Sequence, residues 1–521
     1  MSEMPPDPDS SQGASRRAGP VVEPMDVHNR ELIANVHPPD WVNPEPADRY
    51  HLVVVGAGTA GLVSASIAAG LGARVALVER HLMGGDCLNV GCVPSKAMIA
   101  AARAWHDAGR AREVFAGPAV AEQGGDFAAV MERMRRLRAS LSPIDGAARF
   151  RDLGVDVFLG QGRFVASDAL EVGGRRLRFR NAVLAIGARA KAPPIPGLDR
   201  IDYLTNESVF SLTELPPRLG VIGAGPMGCE LSQAVARLGG EVHLFNLSGH
   251  VLPREDADAA AIVERSMAAD GVAFHQGVEI VEVAARDAGV AVVTRRDGQR
   301  RETAVDRLLV AVGRSPNVEG LGLEAAGVEY DRVGVEVDDR LRTTNFRIFA
   351  AGDVASRHQF THSADFQARM VIRNAFFFGR GKASKMVIPW TTYTSPEVAH
   401  VGLYAAEAEK LGYAVDTLTV PLSEVDRAVL DGEDEGFLRV HLKKGGDRIL
   451  GGTLVAERAG DMIGLLSLAM THGLGLAKLS QTIFPYPTRG EVFRKAGDLY
   501  NRGRLTERAK RFFALWFRIF G

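Results

Sequence analysis

Short apolar runs bounded by glycine-rich turns recur along this chain, and they predict buried parallel strands. Leu52–Val55 and Val75–Val78 are two such runs, rich in β-branched residues. Between them lies GAGTAGLVSASIAAGLG, so the stretch from His51 to Arg80 reads strand, glycine turn, helix, strand. The same order begins again near Arg218, in RLGVIGAGPMGCELSQAVARLGGEVHLFN. Two such units predict two separate α/β nucleotide-binding domains. Between them the pattern is helical from Ala97 to about Leu141 and then strand-like. Pro193-Pro194-Ile195-Pro196-Gly197 breaks it, which predicts a hinge. From near Met386, alternating strands and then helices run to about Tyr500.

Composition narrows the function classes. A chain of 521 residues suggests about three domains. A net charge of -1 gives no reason to expect nucleic acid or another charged polymer as partner. Three cysteines, Cys87, Cys92 and Cys229, are too few for a stapled secreted scaffold. Nine of the 25 prolines fall in the first 48 residues, so residues 1 to about 25 are expected to be disordered. Glu31 to Trp41 carries enough apolar residues to pack onto the body. No apolar core follows a basic start, and no run of about 18 apolar residues occurs, so a cytoplasmic location is expected.

The chemistry sits in the turns. Gly56, Gly58 and Gly61 have the G-x-G-x-x-G spacing that lets a backbone approach a pyrophosphate at a helix N-terminus. Glu79 ends the following strand, where an acid would bind a ribose hydroxyl. In the second unit Gly223, Gly225 and Gly228 repeat the spacing, and Asn246 stands where Glu79 stands in the first. An amide there does not repel a 2′-phosphate, and His250 and Arg254 are nearby, so NADPH is expected in preference to NADH.

GGDCLNVGCVPSK, Gly84–Lys96, holds two cysteines five residues apart. Five residues of regular helix rise about 7.5 Å, whereas bridged cysteines keep their Cα atoms roughly 4.4–6.8 Å apart. The segment is therefore expected to be a turn entering a helix, with Gly91 and Pro94 at the transition. That places Cys92 at a helix N-terminus, which stabilises a thiolate. Two buried thiols or half a zinc site are the alternatives. Zinc would need two more ligands, and no further cysteine is near, so no bound metal is expected.

This segment resembles the redox-active signature of the pyridine-nucleotide disulfide oxidoreductases: lipoamide dehydrogenase, glutathione reductase and mercuric reductase. The resemblance runs from about His51 to Tyr500. LAIGARA (Leu184–Ala190, with Gly187), AVGRSPN (Ala311–Asn317, with Gly313 and Arg314) and TNFRIFAAGDV (Thr344–Val354, with Gly352 and Asp353) are similar to its further cofactor-binding motifs. Lys96 matches the lysine near the flavin, and Glu230 the acid that pairs with it beside the nicotinamide. The implied fold is α/β: two Rossmann-like domains, for FAD and NAD(P), plus a C-terminal α+β dimerisation domain. It implies FAD-binding parts at 49–198 and 326–385, an NAD(P)-binding part at 199–325 and a dimerisation domain at 386–500; outside these, composition and periodicity predict a partly disordered extension over 1–48 and a basic amphipathic tail helix at 501–521. The resemblance further implies a homodimer in which electrons pass from NAD(P)H through FAD to a Cys87–Cys92 disulfide. Cys92 would be the flavin-side thiolate and Cys87 the thiol that meets substrate.

One departure decides the subfamily. The family's C-terminal histidine is replaced by Tyr486, in TIFPYPTRGEVF, while its partner Glu491 is retained. Histidine titrates near 6.5 and tyrosine near 10, so Tyr486 is a poor acid–base for a dithiol at neutral pH. The setting is most similar to mercuric reductase, with Tyr203 matching a second active-site tyrosine. A metal ion or a small molecule is then the expected acceptor. Yet no cysteine follows Cys229, so the C-terminal cysteine pair usual in mercuric reductases is absent, as is any N-terminal Cys-x-x-Cys. The alternatives are a small-thiol disulfide reductase using Tyr486 and a flavin-bearing redox sensor. Finally, Leu505, Ala509, Phe512, Trp516 and Phe520 share one helical stripe, and Arg504, Arg508, Arg511 and Arg518 another. Such a tail suits either weak membrane-surface contact or packing on the enzyme's own dimer.

Overall fold

The computed structural model describes residues 20–117, 125–287, 289–377 and 379–520. The strand Tyr50–Val55 lies at the centre of a seven-stranded sheet. It pairs in parallel with Val75–Glu79 on one side and Arg175–Leu184 on the other. Val155–Leu159 extends the parallel part, and Ala169–Val172 and Gly162–Ala166 add an antiparallel end. The last strand, Ile348–Ala350, comes from far along the chain and pairs in parallel with Ala182–Leu184.

The second unit is a four-stranded parallel sheet in the order Val272–Gln276, Glu241–Asn246, Arg218–Ile222, Arg307–Val310. A three-stranded antiparallel sheet, Glu279–Val305, lies beside it. Ala188–Ala190 and Arg314–Pro316 pair as a two-stranded ribbon where the chain leaves and returns. Near the expected hinge, a Cβ on Gly197 would lie 2.0 Å from the Val283 carbonyl oxygen, so the proline turn is pressed onto the second unit. Pro389 to Ala456 forms a five-stranded antiparallel sheet with helices on it.

Three expectations need correction. The helical stretch placed from Ala97 to Leu141 is two helices, Cys92–Phe115 and Phe127–Leu141. Within the 1–48 extension lies a helix that the sequence pattern did not predict. Asp26 caps a helix, Val27–Val36, by accepting the Asn29 N–H at 2.8 Å, and Leu32, Ile33 and Val36 are buried beneath it. The packing expected of Glu31–Trp41 is thus present, with Trp41 Nε1 donating to the Val157 carbonyl at 3.1 Å. The expectation of disorder over residues 1 to 25 falls largely outside the described residues. The tail is not one helix from residue 501. Glu491–Gly503 ends, and a separate helix, Glu507–Phe520, follows.

Candidate functional site

The two glycine turns are built alike. Gly56 has φ +100°, and a Cβ there would lie 2.3 Å from the Ala185 oxygen. A Cβ on Gly61 would lie 1.8 Å from the Gly56 oxygen. Gly58 differs: its nearest neighbour would be Gly85 Cα at 3.7 Å, so its space faces outward. Gly223 and Gly228 repeat the two close approaches, at 2.6 Å and 1.9 Å. Gly225, like Gly58, faces open space. In each turn the outer glycines let strand and helix meet, and the middle one leaves room for a phosphate at the helix N-terminus.

A cleft of about 1070 Å³ opens beside the first turn and is lined by Gly56, Gly58, Glu79, Gly187, Gly352 and Asp353, among others. Both Cys87 and Cys92 line it as well. Glu79 accepts the Ala57 N–H at 2.6 Å and the His81 N–H at 2.8 Å, which fixes its carboxylate at the strand end. Arg138 is buried in the wall and donates to Asn89 O at 2.6 Å and Asn29 Oδ1 at 2.7 Å. Burial draws its pKa down to about 10, and its Nε has no partner among the described residues. The size of the cleft, its glycine cradle and this cation fit the dinucleotide FAD.

The cysteine segment is a short helix, Gly85–Asn89, followed by a helix that starts at Cys92, as the spacing requires. Cys92 Sγ lies 3.4 Å from Thr361 Oγ1. Cys87 donates to Cys92, Thr361 hydrogen-bonds it, and the Lys96 charge adds to both. Against the opposing effect of burial, these hold the Cys92 thiol down to about 6. The hydrogen bond to Cys92 and burial push Cys87 up. The pair is therefore divided into one thiolate and one thiol.

Lys96 Nζ and Glu230 Oε2 are 2.6 Å apart, joining the helix Cys92–Phe115 to the second unit. Glu230 Oε1 accepts the Tyr393 N–H at 2.9 Å, and Lys96 lies 4.3 Å from the Tyr393 ring centroid. The motif residue Arg314 binds Asp86, lies 3.4 Å from Asp353 and donates to the Ala188 oxygen at 2.8 Å. Gly187 and Gly313 take φ of +63° and +109° with open space at the Cβ position.

Other expected site residues stand apart from the cysteines. Tyr203 does not line the cleft. It packs in the apolar cluster of Leu198, Ile222 and Phe245, and its neighbours Asp202 and Leu204 reach the lining instead. Asn246 is buried, and its Nδ2 donates to Ser248 O at 3.2 Å and His250 O at 2.7 Å. Its role in holding the local turn was not expected, and only Oδ1 is left to accept from a ribose. Tyr486 is 71 % exposed and donates to Asp426 Oδ2 at 2.8 Å. Glu491 is buried and paired with Arg494 at 2.5 Å rather than with Tyr486, and its Oε2 has no partner among the described residues. Cys229 is fully buried, and burial raises its thiol far above the usual range.

Three neighbours of the site were missed from sequence. Thr361 opens the helix Thr361–Phe376, eight residues beyond Asp353, where a hydroxyl at a helix start beside a cofactor motif was the available signal. Tyr393 acts partly through its backbone, and Asp86 adjoins Cys87 in sequence.

Residues 50–368 match the family described as pyridine nucleotide-disulphide oxidoreductase, and residues 388–497 match its dimerisation domain. The chain is 35 % identical to a mercuric reductase of Bacillus cereus over 87 % of this chain and 72 % of that protein. It is 32 % identical to a dihydrolipoyl dehydrogenase of Geobacillus stearothermophilus over 86 % of this chain and 95 % of that protein. Among solved structures, a Cu(II) complex of the HOCl-induced flavoprotein disulfide reductase RclA from Escherichia coli superposes with a TM-score of 0.77. The identity is 26 %, and the match covers 87 % of this chain and all of that one.

Proposed function

From the premise that this chain belongs to the pyridine nucleotide-disulphide oxidoreductase family, we propose that it passes electrons to a metal ion or small acceptor in the manner of a mercuric reductase. It is an oxidoreductase of a family whose members bind FAD and depend on NAD(P)H. FAD, when bound, supplies the two-electron relay between nicotinamide and cysteines. The glycine turn, Glu79 and Arg138 would hold it, with Gly352 and Asp353 closing the cleft.

The chain's own residues prepare the thiols. Lys96 and Glu230 fix each other across the two units, and Lys96 places its charge near Cys92. Thr361 donates to the Cys92 thiolate, while Cys87 retains a proton. When Cys87 and Cys92 join, two electrons pass to the acceptor and the Cys87 proton leaves. An acceptor such as Hg(II) would take both electrons as it separates from sulfur. Each subunit of a homodimer would offer Tyr486 and Glu491 to the other's cysteines.

The observation that carries this reading over a small-thiol reductase is the Tyr486–Asp426 hydrogen bond. Asp426 raises the pKa of Tyr486, which already starts near 10, so Tyr486 is a weak proton acceptor at neutral pH. The test is anaerobic reduction with NADPH, followed by Hg(II), Cu(II), lipoamide or glutathione disulfide. Turnover with a metal ion and slow reaction with both disulfides is the expected result. Rapid turnover of a disulfide refutes it, and reduction without turnover of any acceptor indicates a redox sensor.

A further inference from the structure

The tail helix Glu507–Phe520 buries none of its residues on the body. Phe512, Phe513, Trp516, Phe517, Ile519 and Phe520 are each between 45 and 68 % exposed. Their rings meet one another, with Trp516 and Phe520 centroids 4.3 Å apart and Phe512 and Phe513 5.7 Å apart. At 3.6 residues per turn these six side chains and Ala509 fill an uninterrupted arc of about 160°. Lys510 falls at one edge of the arc and Arg508 at the other, with Arg511 and Arg518 on the opposite face. A single acid, Glu507, is paired with Lys510 at 2.8 Å. The whole chain has a net charge of -1, so this density of cations is local to the tail.

We propose that Glu507–Phe520 is an anchor that lies in the surface of an anionic lipid bilayer, with its aromatic arc among the acyl chains and its arginines at the headgroups. Two features select this occupant. The cations flank the apolar arc, where their stems can bury and their charged ends can reach phosphates. Two copies of this helix packed on each other would bring these cations together with no acid to offset them, since its single acid, Glu507, is already paired with Lys510. The anchor lies on the membrane and does not cross it: among the described residues no helix is long and apolar enough to span one. The helix begins beyond residue 497, where the match to the dimerisation domain ends. This inference is independent of the acceptor.

The test is flotation of the full FAD-loaded protein with vesicles of phosphatidylglycerol and phosphatidylcholine at low salt. The full chain is expected to float with these vesicles and to stay behind with phosphatidylcholine alone or in high salt. Arg508→Gln/Arg511→Gln should weaken partitioning about 30-fold, since each basic residue adds about 1 kcal/mol at an anionic surface and about 1.4 kcal/mol is tenfold. Phe512→Glu/Trp516→Glu should abolish flotation while turnover and native mass stay unchanged. Failure of the full chain to float with anionic vesicles overturns the proposal. So does loss of the dimer in the Phe512→Glu/Trp516→Glu variant, which would assign the arc to a second copy.

Discussion

Thr361 reaches Cys92 from 269 positions away, and it adds to the larger effect of the Cys87 hydrogen bond in lowering the Cys92 thiol. The Cys92 thiolate is present above about pH 6 and is lost as pH falls through that value. The thiolate-to-flavin absorbance of the oxygen-free, half-reduced enzyme should follow the same curve. Thr361→Val removes one hydrogen bond to a charged group, a contribution of about 1.5 kcal/mol, and should raise the midpoint by about one pH unit. Cys92→Ser should abolish the band, whereas Cys87→Ser should retain it while blocking turnover. The reverse pattern in the two spectra would exchange the roles. At the ribose position, Asn246→Glu supplies an acid to a site where only Oδ1 is free. It should move the kcat/KM ratio toward NADH by about tenfold, given the strength of a charge-assisted hydrogen bond. An unchanged ratio would mean that the second turn reads the ribose elsewhere. Lys96 and Glu230 were legible because each belongs to a local motif, and the fold only had to bring two motifs together. Thr361 and Tyr393 were not, because their roles arise from where a helix start and a strand end fall in space. Tyr203, likewise, is placed by the fold and not by its sequence context: its side chain packs against the second unit's core, outside the cleft lining.

Among the elements, the N-terminal helix Val27–Val36 has the least obvious purpose from sequence. Asp26 pairs with Arg135 at 2.6 Å, Asn29 receives Arg138, and Asn35 donates to Ser142 Oγ at 2.9 Å. Val21, Val22 and Glu23, just before it, line the cleft. The helix therefore holds a strap over the cofactor's side of the first unit. Removing residues 1–36 should speed FAD release on dilution, read by recovery of free flavin fluorescence, and lower Tm. Leu32→Ala is the milder test, with a cost of about 3 kcal/mol for a fully buried leucine. Equal FAD release from the shortened and full chains would deny the strap any part in retention. Repeating strand–turn–helix units were visible in the apolar pattern because glycine and β-branched residues mark each step. The break between Gly503 and Glu507 had signals, Gly503 ending one helix and Thr506 accepting the Ala509 N–H at 3.3 Å to start the next, but the amphipathic spacing that continues across it hid them.

For the whole molecule, the surface around Tyr486 bears on assembly. Ile483 is 95 % exposed beside it, an unusual position for an isoleucine unless a second subunit covers it. Ile483→Glu should shift the native mass at micromolar concentration from dimer to monomer and reduce turnover at least tenfold, since Tyr486 and Glu491 would no longer reach a partner's cysteines. A monomer with full activity would contradict both the dimer and the shared site. The strand Ile348–Ala350 has a different consequence, one of timing. It adds the last parallel strand to the first sheet, and Gly352 and Asp353 follow it directly into the cleft wall. During synthesis the second unit's sheet, complete by Val310, has emerged before this strand exists. The second unit can thus fold while the first sheet still waits for its final strand. Flavin loading becomes a late event, made between Gly56 and Gly352, which line one cleft although the ribosome releases them 296 residues apart.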